Sequence, residues 1–205
     1  MNFDLTEDEE MLKALTERFV SDHYDHDSRR EFQADVPGFS SRNWAILAEL
    51  GLIAAPFPEE LGGLGLEATG IATMFEALGR GLVVEPLAET VMLAGRLFAR
   101  TAPAELLGEW IAPLLEGSRR LALAHAEAGD RDGRNRVETS AAAAGDGTFR
   151  LSGGKPYCMS GARADAYIVS ARVAGAEPDG IALFLVAADA PGLSMRDWPQ
   201  VDGTW

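Results

Sequence analysis

The chain has 205 residues, 47% of them apolar and 24% charged, which is enough apolar material for a packed core and excludes a disordered protein. Its 32 acidic and 18 basic side chains leave a formal charge of −14, so nucleic-acid backbones and anionic membrane surfaces are repelled as partners. No apolar run approaches the roughly 20 residues that cross a bilayer, the start MNFDLTEDEE lacks the pattern of a signal peptide, and the single Cys158 makes no internal disulfide, which together point to the cytoplasm.

From Thr6 the text TEDEEMLKALTERF offers a capping box between Thr6 and Glu9, followed by Met11, Leu12, Leu15 and Phe19 at helical spacing. A second helix begins near Ser40 or Ser41, carries Trp44, Leu47 and Leu50 on one side, and stops at Gly51. The stretch LIAAPFPEELGGLGLE breaks both periods with its prolines and glycines, and its Leu52, Ile53, Phe57 and Leu61 predict an ordered, packed loop. Helical spacing returns over 66–82 and 87–98, and Pro103 suits the first turn of a helix running to about Leu115 and closed by Gly117.

Beyond Ser118 the pattern changes. LALAHA, VETSAAAA, TFRLS, AYIVSARV and IALFLVAA are short runs separated by turn residues, and read as strands. Gly145-Asp146-Gly147 predicts a hairpin between 140–144 and 148–152. The fold class expected is α+β and multidomain, with an all-helical N-terminal domain over 1–118 and an antiparallel β-barrel or sandwich over 119–205. The ending PGLSMRDWPQVDGTW carries no helix signal and reads as an interrupted domain.

Few constellations carry chemistry. His23 and His26 beside Asp22, Asp25 and Asp27 could face one metal, although a solvated acidic helix end is the plainer account and no metal is expected. Cys158 reads as a small core filler and CMSGA lacks the frame of a nucleophile elbow. Lys155 and Tyr157 open a further strand after the Ser152-Gly153-Gly154 turn. Taken alone they read as a solvated turn lysine and a half-buried tyrosine, although an aromatic followed by small residues on a sheet can also support a flat cofactor.

Several motifs in one order resemble the acyl-CoA dehydrogenase family. They are the acidic first helix, WAILAELGL at 44–52, PEELGGLGL at 58–66, EALGRGLVVEP at 76–86, ALAHAEAG at 122–129, DGTFRLSGGKPYCMSGARADAYIVSAR at 146–172 and LFLVAADAPGL at 183–193. Within the family the likeness is to the small subunit of pimeloyl-CoA dehydrogenase and similar members that work in heteromers. The resemblance implies FAD as cofactor, an acyl-CoA substrate dehydrogenated between its α and β carbons, an electron-transferring flavoprotein as acceptor, and a homo- or hetero-oligomer. It also implies a C-terminal helical bundle, absent from these 205 residues, that supplies the catalytic glutamate, so that no catalytic residue is expected here and the isolated chain is expected to be inactive. Carried over by position, the cofactor-binding residues are Leu123, His125, Ala126, Tyr157 and Met159, and the substrate-binding ones are Gly129, Asp130 and Arg131. Ala126 and Met159 stand where the family has flavin-bonding threonines, and Tyr157 stands at the stacking tryptophan. These losses leave a second reading open: a non-catalytic partner subunit, an interaction module whose flavin site has decayed.

Overall fold

A computed structural model describes residues 4–129, 136–145, 147–173, 180–198, 200, 201, 203 and 204. Helix α1 spans Glu7–His23 and opens on the reciprocal capping box of Thr6 and Glu9. Tyr24 ends it and Asp25 caps α2, His26–Ala34. His23 and His26 therefore lie on different helices and share no face. Helix α3, Ser41–Glu49, is capped by the Ser40 hydroxyl, which accepts from Asn43 N at 3.1 Å. The loop after it is ordered as its apolar residues predict: Leu52, Ile53, Ala55 and Phe57 are buried, and a single 3₁₀ turn covers Glu59–Leu61.

Helix α4, Ala68–Arg80, packs on α1. It ends before Leu82, which takes a left-handed φ of 51° and stands exposed. The expected helix over 87–98 is instead a π-helical stretch, Leu87–Gly95, that passes into α5, Arg96–Thr101. Helix α6, Ala104–Leu115, follows Pro103 and stops at Gly117, whose φ of 70° suits glycine. The Gly117 carbonyl accepts the Trp44 indole N–H at 2.7 Å, which ties the end of α6 to α3.

Among the described residues five strands form one sheet: β1 Leu121–Ala124, β2 Ser140–Ala143, β3 Phe149–Ser152, β4 Ala166–Val173 and β5 Ile181–Ala187. The hairpin β2–β3 is antiparallel as its turn predicts. The sheet is nevertheless mixed, which corrects the expectation of an all-antiparallel one. Strand β5 runs antiparallel along one edge of β4 from Ala166 to Arg172. The other edge is divided between two parallel partners, β1 opposite 166–169 and the start of β2 opposite 172 and 173.

Strand β4 is thus central, and its two faces bury against different neighbours. Ala166 and Ile168, with Leu121 of β1, pack on Ala94, Phe98, Trp110 and Leu114 of the helices. Tyr167, with Ala122 and Ala124, packs on the other face near Cys158 and Val186. A larger core around Trp44, Leu47, Ile53, Phe57, Met74 and Leu87 is built by the helices and the loop after α3. Among the described residues no helix is long and apolar enough to cross a membrane.

Candidate functional site

The site lies where the chain leaves β1. Because β1 and β2 share one edge of β4, Ser170 and Ala171 fall in the gap between them, and residues 125–127 turn away opposite that gap. Ala126 makes a single antiparallel bridge with Tyr157. No strand follows at 155–160, contrary to the sequence expectation: the chain turns at Met159 and Ser160, with Ser160 at φ 54°, into a 3₁₀ turn over Gly161–Arg163.

Lys155 is not a solvated turn residue. Its side chain and that of Glu127 are 7% and 8% exposed, and Nζ donates to Glu127 Oε1 at 2.6 Å, to the His125 carbonyl at 3.0 Å and to Ser170 Oγ at 3.0 Å. Three donors meet three acceptors, so the ammonium is saturated. Glu127 also receives the backbone N–H groups of Glu138 at 2.6 Å and Thr139 at 2.9 Å. Burial alone would raise this carboxyl; the bonds from Lys155 and the two amides outweigh it and hold it down at about 2. Ser170 Oγ lies 3.0 Å from Nδ1 of the half-buried His125.

Beyond this network the surface becomes apolar and open. Tyr157 is 74% exposed and Met159 50% exposed, whereas Cys158 between them turns into the core beneath the sheet. Burial pushes the Cys158 thiol up to about 11, which suits the filler role and not a nucleophile. Leu123 packs toward the helices and not onto this surface. Gly129 sits in a turn at φ 78°, while Asp130 and Arg131 lie outside the described residues.

Next to Met159 a cavity of about 350 Å³ opens between the two halves, walled by Phe39, Leu78, Val83 and Glu85 on the helical side and by Met159 and Arg163 on the other. The Arg163 guanidinium donates to the Pro37 carbonyl, and Arg120 Nε donates to the Arg163 carbonyl at 2.7 Å, which fixes that wall. Glu85 is 5% exposed and accepts from the Tyr24 hydroxyl, which itself accepts from Val84 N at 3.2 Å. Burial raises the Glu85 carboxyl despite these bonds, and burial followed by the Glu85 charge raises the Tyr24 phenol. Among the described residues, Glu85 Oε1 and Asn43 Nδ2 are buried without a hydrogen-bond partner.

Sequence reasoning missed Glu127 and Glu85. Glu127 interrupts an apolar run, and Lys155 is one of two lysines in a chain whose other cations are arginines. A compact three-donor ammonium is what a small buried acceptor set selects, and that was the available signal.

Two family profiles match in order. The one described as "Acyl-CoA dehydrogenase, N-terminal domain" covers residues 6–118, and "Acyl-CoA dehydrogenase, middle domain" covers residues 122–204. The chain belongs to the acyl-CoA dehydrogenase family. Among curated relatives it is 31% identical to acyl-CoA dehydrogenase FadE27 of Mycobacterium tuberculosis, over 95% of this chain and 50% of that one. It is 26% identical to benzylmalonyl-CoA dehydrogenase of Aromatoleum aromaticum, over 100% of this chain and 54% of the relative. Among solved structures it resembles the ChsE4-ChsE5 complex of Mycobacterium tuberculosis, with TM-score 0.85 and 30% identity over 100% of this chain and 53% of that one. The chain spans about half the length of these relatives.

The residues at the Ala126–Tyr157 bridge fit a flat aromatic cofactor such as FAD. An exposed phenol ring and thioether offer apolar contact, and the small Ala126 leaves the backbone approachable.

Proposed function

We propose that the chain is the N-terminal and middle part of a flavin-dependent acyl-CoA dehydrogenase subunit that works in an oligomer with copies of itself or with a second chain. The observation that carries this reading is the pairing of Ala126 with the open Tyr157–Met159 surface beside the interdomain cavity. Tyr157 and Met159 would lie against the FAD ring, with Ala126 and His125 at its edge, and the cavity bounded by Phe39, Leu78 and Val83 would take an apolar group out of water. When bound, FAD supplies the hydride acceptor for α,β-dehydrogenation of an acyl-CoA thioester. The thioester is assigned to the turn at Gly129.

The residues of this chain hold, orient and desolvate; none of His125, Ala126, Tyr157 and Met159 carries a carboxylate, and this reading assigns the base that takes the α-proton to another part of the assembled enzyme. The buried Glu127–Lys155 pair holds the 125–127 segment against 153–157 and so fixes one side of the site. An electron-transferring flavoprotein is the acceptor this reading assigns, and the cytoplasm its compartment.

A second reading, a non-catalytic partner subunit, is favoured by one observation: Ala126 and Met159 offer no hydroxyl to a flavin heteroatom. Purification of the chain, alone and with the product of the neighbouring gene, distinguishes the two. A flavin absorption spectrum that stays with the protein supports the first; colourless protein in both preparations supports the second.

A further inference from the structure

The bonds around Ser170 determine where the proton on His125 sits. Lys155 Nζ has only donors to give, and all three are used, on the His125 carbonyl, Glu127 Oε1 and Ser170 Oγ. Ser170 Oγ therefore accepts from Lys155. Ser170 is fully buried, and its only other polar neighbour among the described residues is His125 Nδ1 at 3.0 Å. If Nδ1 carried a proton, the serine oxygen would accept twice and its own hydroxyl proton would be left buried without an acceptor. The arrangement that satisfies every group has the Ser170 hydroxyl donating to an unprotonated Nδ1, which puts the imidazole proton on Nε2.

We propose that Lys155 and Ser170 are positioning residues that hold His125 as the Nε2–H tautomer, and that this N–H is a hydrogen-bond donor to the flavin ring, beside Ala126, whose side chain has none to give. The inference rests on the FAD reading above for the identity of the acceptor, and on the local bonds for the tautomer. His125 is half-buried, and among the described residues no group partners its Nε2. His125 immediately precedes Ala126, which bridges to Tyr157, so its backbone lies beside that surface. Glu127 anchors the whole relay, because its carboxylate is tied to two backbone amides as well as to Lys155.

The two halves of the proposal are read separately. In the ¹⁵N-histidine-labelled 205-residue chain, the His125 signal is assigned among three histidines by its loss in His125→Phe. Long-range ¹H–¹⁵N correlation is expected to show an unprotonated Nδ1 and a protonated Nε2, and Ser170→Ala is expected to shift the signal toward a tautomer mixture. A protonated Nδ1 in the unsubstituted chain overturns the tautomer assignment. For the donor role, FAD affinity is followed by quenching of flavin fluorescence, with the chain alone and with the product of the neighbouring gene. His125→Phe is expected to bind FAD roughly threefold to tenfold more weakly, the loss of one hydrogen bond, and to shift the midpoint potential of the bound flavin. Equal affinity and potential in the two proteins overturn the donor role while the FAD reading stands. Failure of the unsubstituted chain to bind FAD in either preparation overturns the donor role and the FAD reading together, and the tautomer result is unaffected.

Discussion

Glu127 and Glu85 are buried to similar depth, 8% and 5% exposed, yet their carboxyl groups move in opposite directions. Glu127 is held at about 2 by an ammonium and two backbone amides, which together outweigh the cost of its burial. Glu85 meets a neutral phenol on one oxygen and no described partner on the other, so burial prevails and its pKa rises. Depth does not set the charge of a buried acid; the number and sign of the donors around it do. The first acid ties together the segments of the proposed cofactor site, while the second forms part of the cavity wall.

The sharpest way to break this contrast is to take the cation from Glu127. Lys155→Met leaves a carboxylate buried without its counter-ion and should cost about 3 to 5 kcal/mol in urea unfolding. The double variant Lys155→Met with Glu127→Leu should recover part of that loss, since the uncompensated charge is gone. A Lys155→Met protein as stable as the parent would mean that the pair is not closed to water.

Tyr24→Phe tests the other acid. It leaves the half-buried Val84 N–H without its acceptor and Glu85 Oε2 without its donor, at a cost of about 1 to 3 kcal/mol. Titration sharpens the comparison further. The folded pKa of Glu127, about 2, lies below its ordinary value of 4.5, so its stabilisation is complete above about 4.5 and is lost as pH falls toward 2. Glu85 has the opposite sign: its folded pKa lies above 4.5, so the unfolded chain releases the proton first and stability falls as pH rises from 4.5 to that value. Glu127→Gln should therefore flatten the acid limb of a stability–pH profile, and Glu85→Gln the limb above 4.5. If Glu85→Gln changed the acid limb instead, the assignment of the two acids would be reversed. The smallest effect expected is from Ser40→Ala, which removes the cap of α3 at a cost of about 1 kcal/mol by thermal unfolding.

The features legible in the sequence are those decided within a few residues. The Thr6–Glu9 capping box, the Ser40 cap, the stop at Gly51 and the β2–β3 hairpin each rest on bonds spanning a short stretch of chain. The parallel pairing of Leu121 with Ala166 joins distant segments, and no local pattern announces it. Strand β4 illustrates the consequence: AYIVSARV reads as a strand, but that it is central and covered on both faces is decided by its distant partners. The same distance hides the two acids, since Lys155 meets Glu127 across 28 positions and Tyr24 meets Glu85 across 61. At the proposed site, position by position, His125 was singled out and its partner Ser170 was not, because a serine inside an apolar strand reads as filler until the gap between β1 and β2 places it opposite His125.

The central claim is that the open Tyr157–Met159 surface is a flavin wall. The most direct test is the visible spectrum of the protein after FAD has been added and unbound flavin removed by gel filtration, for the chain alone and for the chain with the product of the neighbouring gene. The account predicts flavin bands that co-elute with the protein in at least one preparation and are weakened by Tyr157→Ala. Protein that elutes without flavin in both, or bands unchanged by Tyr157→Ala, would contradict it.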